Sequence, residues 1–209
     1  MAKVARKLVY GVGINDAGYA VTRNHTDPMT KKSRQTWICP FYLKWRGILA
    51  RCYSESQVKE NPSYKDCSIC QEWLIFSNFK AWMEKQDWQN KQLDKDLLFP
   101  GNKVYSPETC VFVDQRVNNF LIETGAARGE YMIGVCWHKQ KNRFIAQCND
   151  YKGKKIYLGC FDSELEAHQT WLAFKLKIAY ELASEQTNQR IAKALVKRYE
   201  NYEVVVDTK

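Results

Sequence analysis

The chain reads as an α+β protein built from two small domains. Three observations carry this. The segment Leu93 to Phe120 has the pattern of a hairpin followed by a helix, the size of one supersecondary unit. From Ile133 to Phe161 three apolar-rich runs are separated by turn residues, and a helical pattern follows. A stretch with Gly125-Ala-Ala-Arg-Gly129 at its centre, Glu123 to Gly129, reads as the linker between them. The expected divisions are a basic N-terminal arm at 1–36, a first domain at 37–122, a second at 130–182, and a C-terminal helix and tail at 183–209.

Composition narrows the function. A chain of 209 residues with 45% hydrophobic and 26% charged residues is a soluble globular type. No apolar run approaches the ~20 residues of a membrane span, and Met1 to Lys7 lacks the apolar core of a signal peptide. A cytoplasmic location is the default expectation, with no membrane partner. The net charge of +9 favours a polyanion, nucleic acid before membrane surface. Eight cysteines in a cytosolic chain argue against a disulfide framework.

Taken in order, Tyr10 to Val21 predicts a short hairpin around Asn15-Asp16-Ala17-Gly18. Arg23 to Arg34 has loop composition, with Lys31, Lys32 and Arg34 either phosphate contacts or parts of a solvated arm. Pro40 to Tyr53 predicts a helix, because Phe41, Trp45, Ile48, Leu49 and Cys52 recur at helical spacing and Pro40 suits the first turn. Ser54 to Cys67 is a polar connector. Gln71 to Lys85 predicts a second helix with Trp73, Leu74, Phe76, Phe79, Trp82 and Met83 as a core face. Two acids then straddle a lysine at Asp94-Lys95-Asp96, Pro100-Gly101-Asn102 is a turn, and Val104-Tyr105 is an apolar return. Ser106-Pro107-Glu108 is a helix start or a tight turn.

In the C-terminal part, Arg143 to Cys148 alternates. Phe144, Ala146 and Cys148 fall on one face, and Arg143, Ile145 and Gln147 on the other. Lys152-Gly153 is a turn before a third strand at Lys155 to Phe161, and Asp162-Ser163 starts a helix carrying Ala167, Trp171 and Phe174. Leu176 to Lys209 continues helical, with Tyr202 to Val206 an edge strand or a tail. From Arg128 to Cys160 seven basic residues face two acids, which suits a phosphate-facing surface.

Cys67-Ser-Ile-Cys70 is one C-x-x-C pair, and a closed tetrahedral zinc site needs two more ligands. Cys52 and Cys110 are the candidates for a possible structural Zn²⁺. The alternative is four free cysteines packed as small apolar residues.

The residues Leu93-Asp94-Lys95-Asp96 and Tyr105-Ser106-Pro107-Glu108-Thr109-Cys110 resemble the HNH, or ββα-metal, motif of phage homing endonucleases. Trp45…Arg51-Cys52, Tyr64…Cys70-Gln-Glu72-Trp73 and Phe76…Phe79 extend that resemblance from Trp37 to Asn119. It implies a divalent metal, Mg²⁺ or Mn²⁺, on Asp94. The catalytic set it implies is Asp94, Lys95, Asp96, Thr109, Asn118 and Asn119. Thr109 stands where the family carries Asn, and Lys95 where it carries the general-base His. On spacing alone, Asp94 and Asp96 read equally as solvated acids beside a basic surface.

Ile133-Gly134-Val135, Phe144-Ile-Ala146, Tyr157-Leu158-Gly159-Cys160-Phe161-Asp162 and Glu166-Ala167-His168 resemble the AP2 DNA-binding domain. In that family the open face of the sheet lies in the DNA major groove. The resemblance implies double-stranded DNA as partner and Trp137, Lys139, Arg143, Gln147, Lys155 and Tyr157 as contacts; Lys141 joins them on charge. Tyr157 stands where the plant proteins carry Trp. The combined expectation is a metal-dependent DNA endonuclease of homing type, or alternatively a catalytically inactive DNA-binding regulator on the same scaffold.

Overall fold

The computed structural model describes residues 7–121 and 130–202 and is a mixed α+β structure. It divides into two compact units that interleave along the chain. Unit 1 comprises Met1–Gln89 and Gly101–Phe112; unit 2 comprises Asn90–Pro100 and Val113–Lys209. The expected linker at 123–129, with Arg128, and positions 203–206 of the expected tail lie outside the described residues.

Unit 1 begins with a tight turn at Tyr10 and Gly11. Both have positive φ, 51° and 79°, and Gly13 N–H donates to Val9 O at 2.9 Å. This is the turn geometry that matches strand twist and that glycine makes cheap. The hairpin expected over Tyr10–Val21 reduces to this turn. The segment expected as a loop forms the hairpin instead: β1 (Thr22–Thr26) pairs antiparallel with β2 (Ser33–Ile38). Asp27 closes it, its Oδ1 accepting the N–H groups of Met29 at 2.8 Å and Thr30 at 3.0 Å.

Helix α1 (Pro40–Tyr53) has the expected bounds and buries Tyr42, Trp45, Ile48 and Leu49. Phe41 is half-buried, its ring 5.0 Å from that of Trp88. The connector contains a short helix, α2 (Glu55–Glu60), and leads to β3 (Ser68–Ile69). The single helix expected over Gln71–Lys85 is broken into a 3-10 turn, Gln71–Leu74, and α3 (Phe76–Met83). The cause is competition for backbone groups. Trp45 Nε1 donates to Trp73 O at 2.6 Å, Ile14 N–H donates to Leu74 O at 2.7 Å, and Phe76 N–H donates to Ile14 O at 3.0 Å. The Phe76 N–H given to Ile14 O and the Ser77 N–H given to Asp16 Oδ1 cannot also close helical hydrogen bonds to Glu72 O and Trp73 O. The expected core face holds at Trp73, Phe76, Phe79 and Met83, each at most 1% exposed.

Strand β4 (Gln92–Asp94) opens the segment of unit 2 that precedes the turn, and β5 (Val104–Tyr105) returns to unit 1. These two do not pair as the expected hairpin. β5 lies parallel to β3, with Ser68 opposite Val104 and Ile69 opposite Tyr105. Ser106–Thr109 is a tight turn, closed by Cys110 N–H to Ser106 O at 3.0 Å, and is followed by β6 (Val111–Val113).

In unit 2, α4 (Gln115–Leu121) starts at Asp114, whose Oδ1 accepts Val117 N–H at 2.8 Å. Three strands, β7 (Val135–His138), β8 (Arg143–Asn149) and β9 (Lys155–Phe161), form one antiparallel sheet in that order. Helix α5 (Glu164–Ser184) packs on one face through Ala167 and Trp171. Ser163 caps it by accepting Glu166 N–H, the arrangement expected of a Ser-x-x-Glu start. Val135, Ala146 and Ala167 form the core of this layer, with Tyr131, Met132, Phe144, Leu158 and Phe161 around it. Gly134 has φ +82°, and a Cβ there would lie 2.1 Å from the Trp171 ring. Helix α6 (Gln189–Glu200) buries Ile191, Leu195 and Tyr199. Lys175 is 5% exposed, and its ammonium donates to Phe120 O at 2.7 Å while lying 3.7 Å from the Phe120 ring centroid. It ties the end of α4 to α5.

Candidate nucleic-acid interface

The two faces of the β7–β8–β9 sheet follow from its register. Residues directly opposite in an antiparallel pair share a face. Val135 is opposite Ala146 and Trp137 opposite Phe144, so these four lie on the α5 side. Cys136 is opposite Ile145 and His138 opposite Arg143, on the open side. Across the other edge, Ile145 is opposite Cys160, Gln147 opposite Tyr157 and Asn149 opposite Lys155. A bulge between Ala146 and Gln147 lets both Leu158 and Gly159 keep to the α5 side without inverting Tyr157.

The open face therefore carries Arg143, Gln147, Lys155 and Tyr157 as expected. Tyr157 is 58% exposed, a large ring presented to solvent. Lys139 and Lys141 are exposed in the β7–β8 turn, and Lys152 and Lys154 in the β8–β9 turn. Asp150, the acid within that second turn, is spent on it: its Oδ1 accepts the N–H groups of Lys152 at 2.9 Å and Lys154 at 2.8 Å. Trp137 is the correction. Its ring packs 4.8 Å from Phe144 on the helix side, so it is not an open-face contact. Arg143 is already engaged: its guanidinium donates twice to Asp162, each bond 2.7 Å, which holds its pKa above the usual arginine value. His138 is an open-face residue that sequence reasoning missed. Strict alternation from Arg143 across the turn identifies it, and its Nδ1 accepts Lys141 N–H at 3.3 Å.

The nuclease-like residues divide between the units. Asp94, Lys95, Asp96, Asn118 and Asn119 belong to unit 2, and Thr109 to unit 1. Asp94 is half-buried, and its Oδ1 accepts the N–H groups of Asp96 at 3.0 Å and Leu97 at 2.7 Å. Burial first, and the charge of Asp96 second, push its carboxyl above the ordinary range. Gln92 Nε2 reaches Gln115 Oε1 at 3.5 Å, and Gln115 Nε2 donates to Asn119 Oδ1 at 2.7 Å. Strand alternation puts Asp94 on the same side of β4 as Gln92, which is the side turned to α4. β4 and α4 are thus neighbouring elements, joined through Gln92 and Gln115.

Three members of the expected set have other engagements. Lys95 is 7% exposed, and its ammonium donates to Asp96 Oδ2 at 3.1 Å. Thr109 donates its hydroxyl to Val104 O at 2.7 Å and receives Ser106 N–H at 3.2 Å, so it closes the turn. Asn119 is exposed and bonded to Gln115. Two neighbouring carboxylates fit Mg²⁺ or Mn²⁺, which take few protein ligands and complete their shell with water and phosphate. Among the described residues no three His, Cys, Asp or Glu side chains gather as a metal site. Cys52, Cys67, Cys70 and Cys110, the expected zinc ligands, are all free thiols. Cys67 and Cys110 are buried, and burial raises the Cys70 thiol.

Comparison with protein-family models, with curated proteins and with solved structures found no match for this chain.

Proposed function

We propose that the chain is a double-stranded-DNA-binding endonuclease of the phage HNH homing type, whose AP2-like sheet supplies affinity. The observation that carries this reading is the open face of the three-stranded sheet. One side is covered by α5; the other presents Tyr157, Gln147, Lys155 and Arg143 between two lysine-bearing turns. Such a face fits phosphates through its lysines and base edges through its amide and ring. Strand cleavage is assigned to the Asp94–Asp96 pair beside α4. A bound divalent cation would there supply charge stabilisation of the phosphoryl group. Asp94 holds its own orientation through the Asp96 and Leu97 amides, and Lys95 limits the charge on Asp96.

A second reading is a catalytically inactive regulator on the same scaffold. It is favoured by the engagement of Lys95 with Asp96 and of the Thr109 hydroxyl with its own turn. Incubation with supercoiled plasmid and Mg²⁺ or Mn²⁺ separates the two. Nicking that disappears in Asp94→Ala, with duplex binding retained, is the expected result. Binding without nicking in the wild type establishes the regulator instead.

A further inference from the structure

The hairpin β1–β2 carries a surface that the sheet-based reading does not use. Nearly every residue of both strands is exposed, and Ile38 and Thr22 at its base are half-buried. Its register sorts the side chains. Arg23 lies opposite Trp37 and His25 opposite Arg34; Asn24 lies opposite Gln35 and Thr26 opposite Ser33. A bulge between Arg23 and Asn24 absorbs Thr36 and keeps the first two pairs on one face. That face therefore holds Arg23, His25 and Arg34 around one aromatic ring, with the Arg23 guanidinium 5.1 Å from the Trp37 ring centroid. The opposite face is neutral and hydrogen-bonding. Lys31 and Lys32 stand at the tip, beside Met29, which is 91% exposed. The single acid between Thr22 and Ile38 is Asp27; its Oδ1 holds the turn, and its one negative charge leaves the ribbon strongly cationic.

We propose that this ribbon is a second DNA-binding element, laying its Arg23–Arg34 face and its Lys31–Lys32 tip against the phosphates of a duplex. Charge complementarity selects the partner. Four permanent cations on a narrow, two-sided strand pair have no carboxylate partner among the described residues, which favours a polyanion over a neutral surface. Trp37 props the Arg23 guanidinium outward and restricts its freedom, which lowers the ordering cost of each phosphate contact. The contacts are to backbone, so they add affinity and salt dependence without sequence preference.

This inference rests on the reading of the chain as a DNA binder, and the test keeps the two apart. The probe is a fluorescein-labelled mixed-sequence duplex about three helical turns long, titrated by anisotropy at several salt concentrations. The ribbon variant is Lys31→Asn, Lys32→Gln and Arg34→Gln; asparagine tolerates the positive φ of 57° at position 31. A control removes three exposed lysines elsewhere in unit 1 with Lys59→Gln, Lys65→Gln and Lys85→Gln. The expected result is a loss of about tenfold or more in affinity at low salt, with the log–log salt slope reduced by about 2–3, in the ribbon variant only. An unchanged slope in the ribbon variant, or an equal loss in the control, overturns the ribbon. If the ribbon variant matches wild type while Lys155→Gln is impaired, the sheet reading stands alone. A wild type that binds no duplex overturns both.

Discussion

Gly134 shows how one residue sets the position of the three-stranded sheet. Its φ of +82° is disfavoured for residues with a Cβ, and the space such a Cβ would need is filled by the Trp171 ring 2.1 Å away. Gly134→Ala therefore meets both backbone strain and overpacking, and should cost about 2–4 kcal/mol in chemical denaturation. At the open face the informative residue is Asp162. It holds the Arg143 guanidinium in a two-bond fork, both partners exposed. A DNA phosphate must displace this carboxylate to use Arg143. Asp162→Asn frees the cation, and duplex affinity should rise by about two- to fivefold, the scale of an exposed ion pair, as read by anisotropy. Loss of affinity in that variant would mean that the fork orients Arg143 for DNA rather than occupying it.

Among elements, a buried face made α1 and β8 legible, while over Gln71–Lys85 it gave the core residues and hid the break at Ile75. α1 has its expected bounds because Trp45, Ile48 and Leu49 must reach one core and Pro40 admits only a helix start. β8 shows its expected two faces because Ala146 and Cys148 are buried while Arg143 and Gln147 are not. The β1–β2 ribbon buries almost nothing, so it leaves no hydrophobic period to read. The short parallel pairing of β3 with β5 joins residues far apart in sequence and is equally silent. Trp137 was misplaced for a related reason: its face depends on which residue of β8 it opposes, and that register is set across the sheet. For the candidate site, Gln147 was recoverable from alternation and Lys155 and Tyr157 were pointed to by the AP2 resemblance, whereas the engagement of Thr109 with Val104 depended on turn geometry. The ribbon also has a pH signature. Backbone N–H bonds from Thr30 and Met29 hold the Asp27 carboxyl below its ordinary value. A depressed carboxyl stabilises the fold fully above its unfolded pKa of ~3.9 and loses that contribution as pH falls through the folded value. The protection of the Met29 and Thr30 amides, measured as exchange relative to the intrinsic rate at each pH, should therefore fall selectively below about pH 4, and Asp27→Ala should abolish that dependence.

At the scale of the molecule, the proposed function draws affinity from the open sheet face of unit 2 and assigns cleavage to the acids in its segment Asn90–Pro100. The expected measurement is direct: Lys155→Gln lowers the salt slope of duplex binding by about 0.9, and Tyr157→Ala weakens binding by on the order of 1 kcal/mol at every salt concentration. Both leave thermal stability close to wild type, because the two side chains are exposed. Unchanged binding in both would remove the sheet from the reading. The interleaving of the two units has its own consequence. Ser68–Ile69 takes its strand partner from Val104–Tyr105, beyond a segment that belongs to the other unit. A fragment ending at Gln89 would forfeit that partner, leaving the Ser68 and Cys70 amides without the Lys103 and Tyr105 carbonyls they donate to. Neither half can be excised by a single cut, so gain or loss of one half by simple fusion would strand backbone groups of the other.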